Sequence, residues 1–245
     1  MEIQEIVNDK IIHNHIRMAT NRQIQGNEGT PFETYGFALL VSGKPGSGKS
    51  STIFAQLLNR NGLFYKKFEN VYIFSPSLNT MEREIKLSPD KIFETYDVEA
   101  LTRIYETQKF NNPNQEEALL IIDDMLTEVM GDKSNILNKI IFNRRHAYLS
   151  VVFLTQVFNK VPLKFRKTFS DFILFNTSNR KEIASFFEEL TQYNPNEYKI
   201  IARTLWRDPH DFIMINVYKD RIFRNFNKVI IKIESDSEDD MDDSE

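Results

Sequence analysis

Eight consecutive residues, Gly43-Lys44-Pro45-Gly46-Ser47-Gly48-Lys49-Ser50, constrain this chain more than any other stretch. They form the pattern G-x-x-x-x-G-K-S, which a chain of this length and average composition meets by accident roughly once in a hundred cases. The apolar run Phe37–Val41 precedes them and the helix-like segment Lys49–Arg60 follows. A buried strand that turns through glycines into a helix is a phosphate cradle. Glycines let the backbone turn so that its N–H groups converge on phosphate oxygens, and the helix N-terminus adds its dipole. Lys49 is then placed to reach the β- and γ-phosphates and the Ser50 hydroxyl to ligate Mg²⁺. The expected nucleotide-binding set is Gly43, Lys44, Pro45, Gly46, Ser47, Gly48, Lys49, Ser50 and Ser51. The alternative, a glycine-rich turn with no ligand, leaves the Lys-Ser pair and the strand–helix context unexplained.

A second element matches the first. Ala118–Ile122 is an apolar run ending in Asp123-Asp124. That is the form of a Walker B strand, with Asp123 placed to hold the Mg²⁺ shell and Asp124 to polarise an attacking water. A third run, Leu149–Leu154, ends in Thr155-Gln156. In P-loop ATPases with an extra strand between the two Walker strands, an amide at this tip can bond both the water and the γ-phosphate, so Gln156 is read as a sensor. Guanine specificity has no support: the nearest approach to N-K-x-D is Asn159-Lys160-Val161-Pro162, where proline stands in place of the aspartate.

Five apolar runs in all, including Val71–Phe74 and Phe172–Phe175, lack clean polar/apolar alternation. This suits strands buried on both faces of a parallel sheet. Helix-like segments at Val98–Lys109, Asn135–Arg145 and Arg180–Leu190 lie between or after them, so an α/β domain is expected. Lys91–Tyr96 is a candidate edge strand. Asn196–Trp206, Asp211–Tyr218 and Ile222–Ile233 read as a helix, a strand and a β-rich segment, a small C-terminal α/β extension. The expected organisation is a polar lead-in over residues 1–35, a P-loop ATPase domain over 36–233 and an acidic, disordered tail over 234–245. His13 and His15 lie in the lead-in, where solvated side chains are a simpler reading than metal ligands.

Charge adds one point. The chain carries 31 Lys+Arg against 35 Asp+Glu, a net charge of −4. Glu234–Glu245 holds eight acids and no base, so the remainder carries +4. A mildly basic body fits a polyanion partner. Lys160, Lys164, Arg166, Lys167, Lys219, Arg221, Arg224, Lys228 and Lys232 are interleaved with Phe158, Phe165, Phe169, Phe223 and Phe226, which suits either phosphate-backbone contact or solvated faces over core phenylalanines. The tail is either a solubilising segment or a competitor for the basic surface. Cysteine is absent, which excludes a disulfide framework and a thiol nucleophile. No membrane-spanning run and no secretory signal is seen, so a soluble intracellular protein is expected.

The segments GKPGSGKS, VYIFSPS, ALLIIDD and RRHAYLSVVFLTQ together resemble the FtsK–HerA superfamily. More narrowly, they resemble the genome-packaging ATPases of poxviruses, giant viruses and virophages. The similarity covers roughly residues 35–190. It implies an ASCE-type, RecA/FtsK-like core with strand order 5-1-4-3-2, which sets Gln156 beside Lys49 and Asp124. It also implies ATP and Mg²⁺ as cofactors, a ring oligomer (usually a hexamer), double-stranded DNA as partner and capsid proteins nearby, with no membrane. The place would be the host-cell cytoplasm at sites of virion assembly, or the virion. An arginine supplied in trans would complete the neighbour's site. Arg145, eleven residues before Gln156, is the first candidate, with Arg144 and Arg166 behind it. Many relatives carry Asp-Glu where this chain has Asp123-Asp124, and the shorter side chain lies farther from the water. The expected function is an ATP-driven DNA translocase that packages a viral genome. A helicase or DNA-transfer ATPase, and a nucleotide-gated capsid-assembly scaffold with little turnover, stay open as alternatives.

Overall fold

The apolar runs become strands whose side chains alternate between two hydrophobic layers. The computed structural model describes residues 22–78, 85 and 87–231; His13, His15, Lys232 and the acidic tail lie outside them. Strands β1 (Ala38–Ser42), β2 (Asn70–Phe74), β3 (Ile92–Phe93), β4 (Ala118–Asp123), β5 (Leu149–Thr155), β6 (Asp171–Phe175), β7 (Phe212–Asn216), β8 (Arg221–Arg224) and β9 (Asn227–Val229) form one sheet. Its order is β3-β2-β4-β5-β1-β6-β7-β8-β9. The five expected runs therefore take the order 5-1-4-3-2, all parallel. The sheet is larger than that core. The two-residue β3 adds a parallel edge beside β2, and β7–β9 extend the other side as antiparallel strands.

Every residue of β1, β4, β5 and β6 is buried. In β4, Ala118, Leu120 and Ile122 face one layer, and Leu119 and Ile121 the other. Both faces are covered, so no polar residue marks an outward side. The first layer holds α2 (Val98–Phe110), α4 (Ile136–Asn143), α5 (Leu163–Arg166), α6 (Arg180–Leu190) and α7 (Pro195–Leu205). The second holds α1 (Lys49–Leu58) and a cluster of phenylalanines, Phe32, Phe37, Phe64 and Phe68, with ring centroids 4.7–6.3 Å apart. Ile24 and Phe32 are each 1% exposed, and the Tyr35 hydroxyl donates to the Lys67 carbonyl at 2.7 Å. The described part of the expected lead-in, residues 22–35, thus packs on the domain rather than preceding it. Among the described residues α1 is the only helix on this face, and those apolar side chains add to its cover.

One turn of helix not expected from sequence, α3 (Leu126–Gly131), follows β4. Helix α7 opens with a capping box between Asn194 and Glu197 and has proline at its start. Because β7 runs antiparallel to β6, with Phe175 opposite Phe212, the segment entering β7 lies at the same sheet end as the tip of β6. No helix among the described residues is long and apolar enough to cross a membrane.

Candidate functional site

The tips of β1, β4 and β5 are adjacent, so topology gathers the three polar tips. The loop after β1 begins at Gly43, whose N–H donates to the Thr155 carbonyl at the tip of β5 (3.3 Å). Gly43 is required by close approach. A Cβ there would lie 2.6 Å from Ser47 Oγ and 2.7 Å from Phe175 Cβ. Gly48 is required by conformation: at φ 98° it turns the chain into α1. The first turn of α1 has neither a side-chain cap nor an acidic residue, so its free N–H groups and positive dipole end suit an anion. Lys44, Pro45 and Gly46 form the exposed crest, and Ser51 is exposed on the first turn of α1.

Lys49 is 8% exposed and donates from Nζ to the Gly43 carbonyl at 2.7 Å. Burial pulls its ammonium below the ordinary lysine range, opposed by Asp123 and Asp124. The Ser50 hydroxyl donates to Asp123 Oδ2 at 2.8 Å, and the Ser75 hydroxyl to the same oxygen at 3.2 Å. Asp123 is 2% exposed. Burial raises its pKa, opposed by the hydrogen bonds from Ser50 and Ser75 and by the Lys49 charge. A buried carboxylate beside a hydroxyl, each able to turn to a cation, fits Mg²⁺ held jointly with nucleotide phosphates. Among the described residues no cluster of three or more His, Cys, Asp or Glu side chains could hold a metal by itself.

Asp124 leaves the strand in the left-handed region at φ 56°, a conformation aspartate tolerates. This turns its carboxylate outward, exposed, where Gln156 Nε2 donates to Oδ2 at 2.6 Å. The geometry therefore brings together Lys49, Ser50, Asp123, Asp124 and Gln156.

The arginines separate. Arg144 is buried and donates to the carbonyls of Gly36 (2.7 Å) and Ile141 (2.8 Å). Arg166 is buried and bidentate on Glu189. Both are spent within their own chain. Arg145 is exposed, with its guanidinium 5.5 Å from the Tyr218 ring centroid. It lies against Gly36, at the end of β1 opposite the P-loop, about 17 Å of strand away.

Of the basic stretches, Lys160, Lys164 and Lys167 are exposed and make no ion pair among the described residues. Lys219 and Arg221 pair with Glu33, and Arg224 with Asp211. Phe158, Phe165, Phe169 and Phe223 are core residues. Two site residues escaped sequence reasoning. Ser75 sits at the tip of β2 next to β4, the same signal that singled out Gln156. His210, whose Nδ1 is 3.1 Å from the Ser47 carbonyl, is brought in by the antiparallel return of β7.

No curated protein sequence is a significant match to this chain. Among solved structures it is similar to the genome packaging NTPase B204 of Sulfolobus turreted icosahedral virus 2 in complex with sulfate. That match has 16% identity and a TM-score of 0.58 over 80% of this chain and 98% of that one. B204, the DNA-packaging ATPase of Sulfolobus turreted icosahedral virus, matches at 17% identity and TM-score 0.54 over 81% and 99%. EssC (ATPases 2 and 3) of Geobacillus thermodenitrificans matches at 12% and 0.54 over 79% of this chain and 40% of its own. At these identities the likeness shows a shared P-loop fold. The family model described as Poxvirus A32 protein matches residues 31–238. The phosphate loop, the Asp123-Asp124 tip, Gln156 and the sheet that aligns them all fall within that match, and the chain belongs to the Poxvirus A32 protein family.

Proposed function

We propose that this chain is an ATP-driven double-stranded DNA translocase that packages a viral genome into its capsid. The observation that carries the hydrolytic part is the meeting of three strand tips: Lys49 on the phosphate loop, Ser50 with Asp123, and Asp124 with Gln156. The packaging part rests on membership of the family and on the likeness to B204, solved in complex with ATP-gammaS and with AMPPCP.

In this reading, ATP lies along Gly43–Ser51. Lys49 exchanges its backbone carbonyls for the β- and γ-phosphates. Ser50 and Asp123 would hold Mg²⁺, whose charge would assist phosphoryl transfer. Asp124 accepts the proton of the attacking water, and Gln156, bonded to it, aligns that water with the γ-phosphate. Arg145 acts on the neighbouring subunit's nucleotide in a ring, taken as a hexamer, and such a finger contributes on the order of 10³–10⁵ in rate. Its exposure, and its position one strand length from its own loop, support a role in trans. Lys160, Lys164 and Lys167, exposed and in no ion pair among the described residues, are cations available for a DNA backbone. The ring would work beside capsid proteins at cytoplasmic assembly sites or in the virion.

The test is ATP hydrolysis with and without double-stranded DNA, with the mass of the assembly measured alongside. Duplex-stimulated turnover that Lys49→Ala abolishes, in a ring that does not separate strands, is the expected result. Strand displacement would favour a helicase, and negligible turnover a scaffold. Normal turnover in Lys49→Ala would sink the site assignment.

A further inference from the structure

Among the described residues, the C-terminal extension meets the phosphate loop through a polar contact of His210. We propose that His210 is a positioning residue for that loop: its Nδ1–H holds the Ser47 carbonyl and keeps the loop in the conformation that receives the nucleotide's phosphates. The inference deepens the nucleotide reading above and rests on it.

The contact has a defined chemistry. A carbonyl oxygen only accepts, so the 3.1 Å approach of Nδ1 requires the proton on that nitrogen. The peptide plane does the rest. Ser47 C=O and Gly48 N–H are opposite ends of one rigid trans peptide, so fixing the oxygen from outside fixes the direction of the N–H on the inner side. Gly48 is the residue that most needs such a hold. It stands at φ 98°, opens α1, and a Cβ built on it would lie 3.6 Å from His210 Nδ1. The loop's own side chain gives no help, because Ser47 Oγ is buried without a hydrogen-bond partner.

The arm that presents His210 is itself stiff. Asp211 accepts from the backbone N–H of Arg207 (2.8 Å) and Asp208 (2.9 Å), from Arg224 (2.7 Å) and from Asn225. The backbone N–H of Asn176, at the tip of β6, donates to the Asp211 carbonyl at 2.8 Å, and its side chain to the Asp208 carbonyl at 3.1 Å. The segment 207–211 is therefore pinned to the sheet by contacts that do not involve His210. An exposed histidine on a pinned arm, meeting a glycine-rich loop, is an arrangement that biases the loop rather than one that builds the fold.

The consequence is a population effect. Without the bond, the receptive conformation is less populated, and apparent affinity falls by that fraction. One neutral hydrogen bond predicts a loss on the order of five- to tenfold. The experiment measures the affinity of the full chain for ATPγS with Mg²⁺ by calorimetry, alongside thermal unfolding, for wild type, His210→Ala, His210→Asn and His210→Gln. The Asn amide sits where Nδ1 does and can still donate, whereas the Gln amide sits nearer the Nε2 position. The expected result is weaker binding in Ala and Gln, rescue in Asn to within about threefold, and similar unfolding temperatures throughout. Binding in His210→Ala equal to wild type overturns the proposal. So does an affinity loss shared equally by Ala, Asn and Gln with a matching drop in unfolding temperature, since that is a structural role. Failure of the wild-type chain to bind ATPγS would refute the nucleotide reading and this inference with it.

Discussion

Replacing Asp171 by Asn should stabilise the protein near neutral pH and do so less in acid. Asp171 opens β6, is 2% exposed, and pairs across the sheet with Asn216 of β7. Its Oδ1 accepts from Asn216 Nδ2 at 2.7 Å and its Oδ2 from Ser170 Oγ at 2.6 Å. Burial outweighs these bonds and lifts its pKa to about 6, against about 3.9 in an unfolded chain. The sign follows from linkage: a carboxyl that binds its proton more tightly when folded loses stability as pH rises between those two values. At about 1.4 kcal/mol per unit, the ionised group costs the folded state about 3 kcal/mol near pH 7.5 and roughly half that near pH 5. Asparagine keeps the shape and stays neutral. Its oxygen can accept from Asn216, and its amide can donate to Ser170 Oγ, which then turns its own proton to the Ala38 carbonyl 3.1 Å away. Urea unfolding at the two pH values gives the difference directly. The variant should gain about 3 kcal/mol near pH 7.5, and the gain should roughly halve near pH 5. A gain that does not change with pH, or a destabilised variant at both, would refute the assignment of the cost to a buried charge.

Three other outcomes follow. Arg145→Ala should bind ATP as wild type does but lose hydrolysis by about 10³-fold or more; mixing it with Asp124→Asn subunits should restore part of the activity if the arginine acts in trans, and no rescue counts against that geometry. Gly43→Ala should lose about 1–3 kcal/mol in thermal or urea unfolding from overpacking against Phe175 and weaken nucleotide binding; unchanged stability and affinity would show that the loop can yield there. Deleting residues 234–245 should tighten duplex DNA binding at low salt if the tail competes for Lys160, Lys164 and Lys167, and filter binding across a salt series would show the gain shrinking as salt rises. Equal affinity at all salt concentrations would leave the tail without a role in DNA binding.

The part of the site legible in sequence is the part that local chemistry writes in one place. The phosphate loop, the Asp123-Asp124 tip and Gln156 each follow an apolar run, and a residue that ends a buried strand must face the sheet's edge whatever its neighbours are. Strand order then decided which tips meet. What stayed hidden depends on rotation or on return of the chain. Arg144 and Arg145 are sequence neighbours, yet one is buried on the Gly36 carbonyl and the other is exposed beside Tyr218; adjacency fixes neither direction. Ile24 and Phe32 read as part of a polar lead-in because the sheet face they cover is assembled from distant strands and α1, which the local sequence does not show. Ser75 and His210 reach the site through the pairing of β2 with β4 and the antiparallel entry of β7. The last point has a functional edge. In the parallel core the C-terminal tips of β1, β4 and β5 converge, so the candidate residues come after strands. An antiparallel strand delivers its N-terminal end instead, so a helper from the extension has to come just before a strand, where His210 stands.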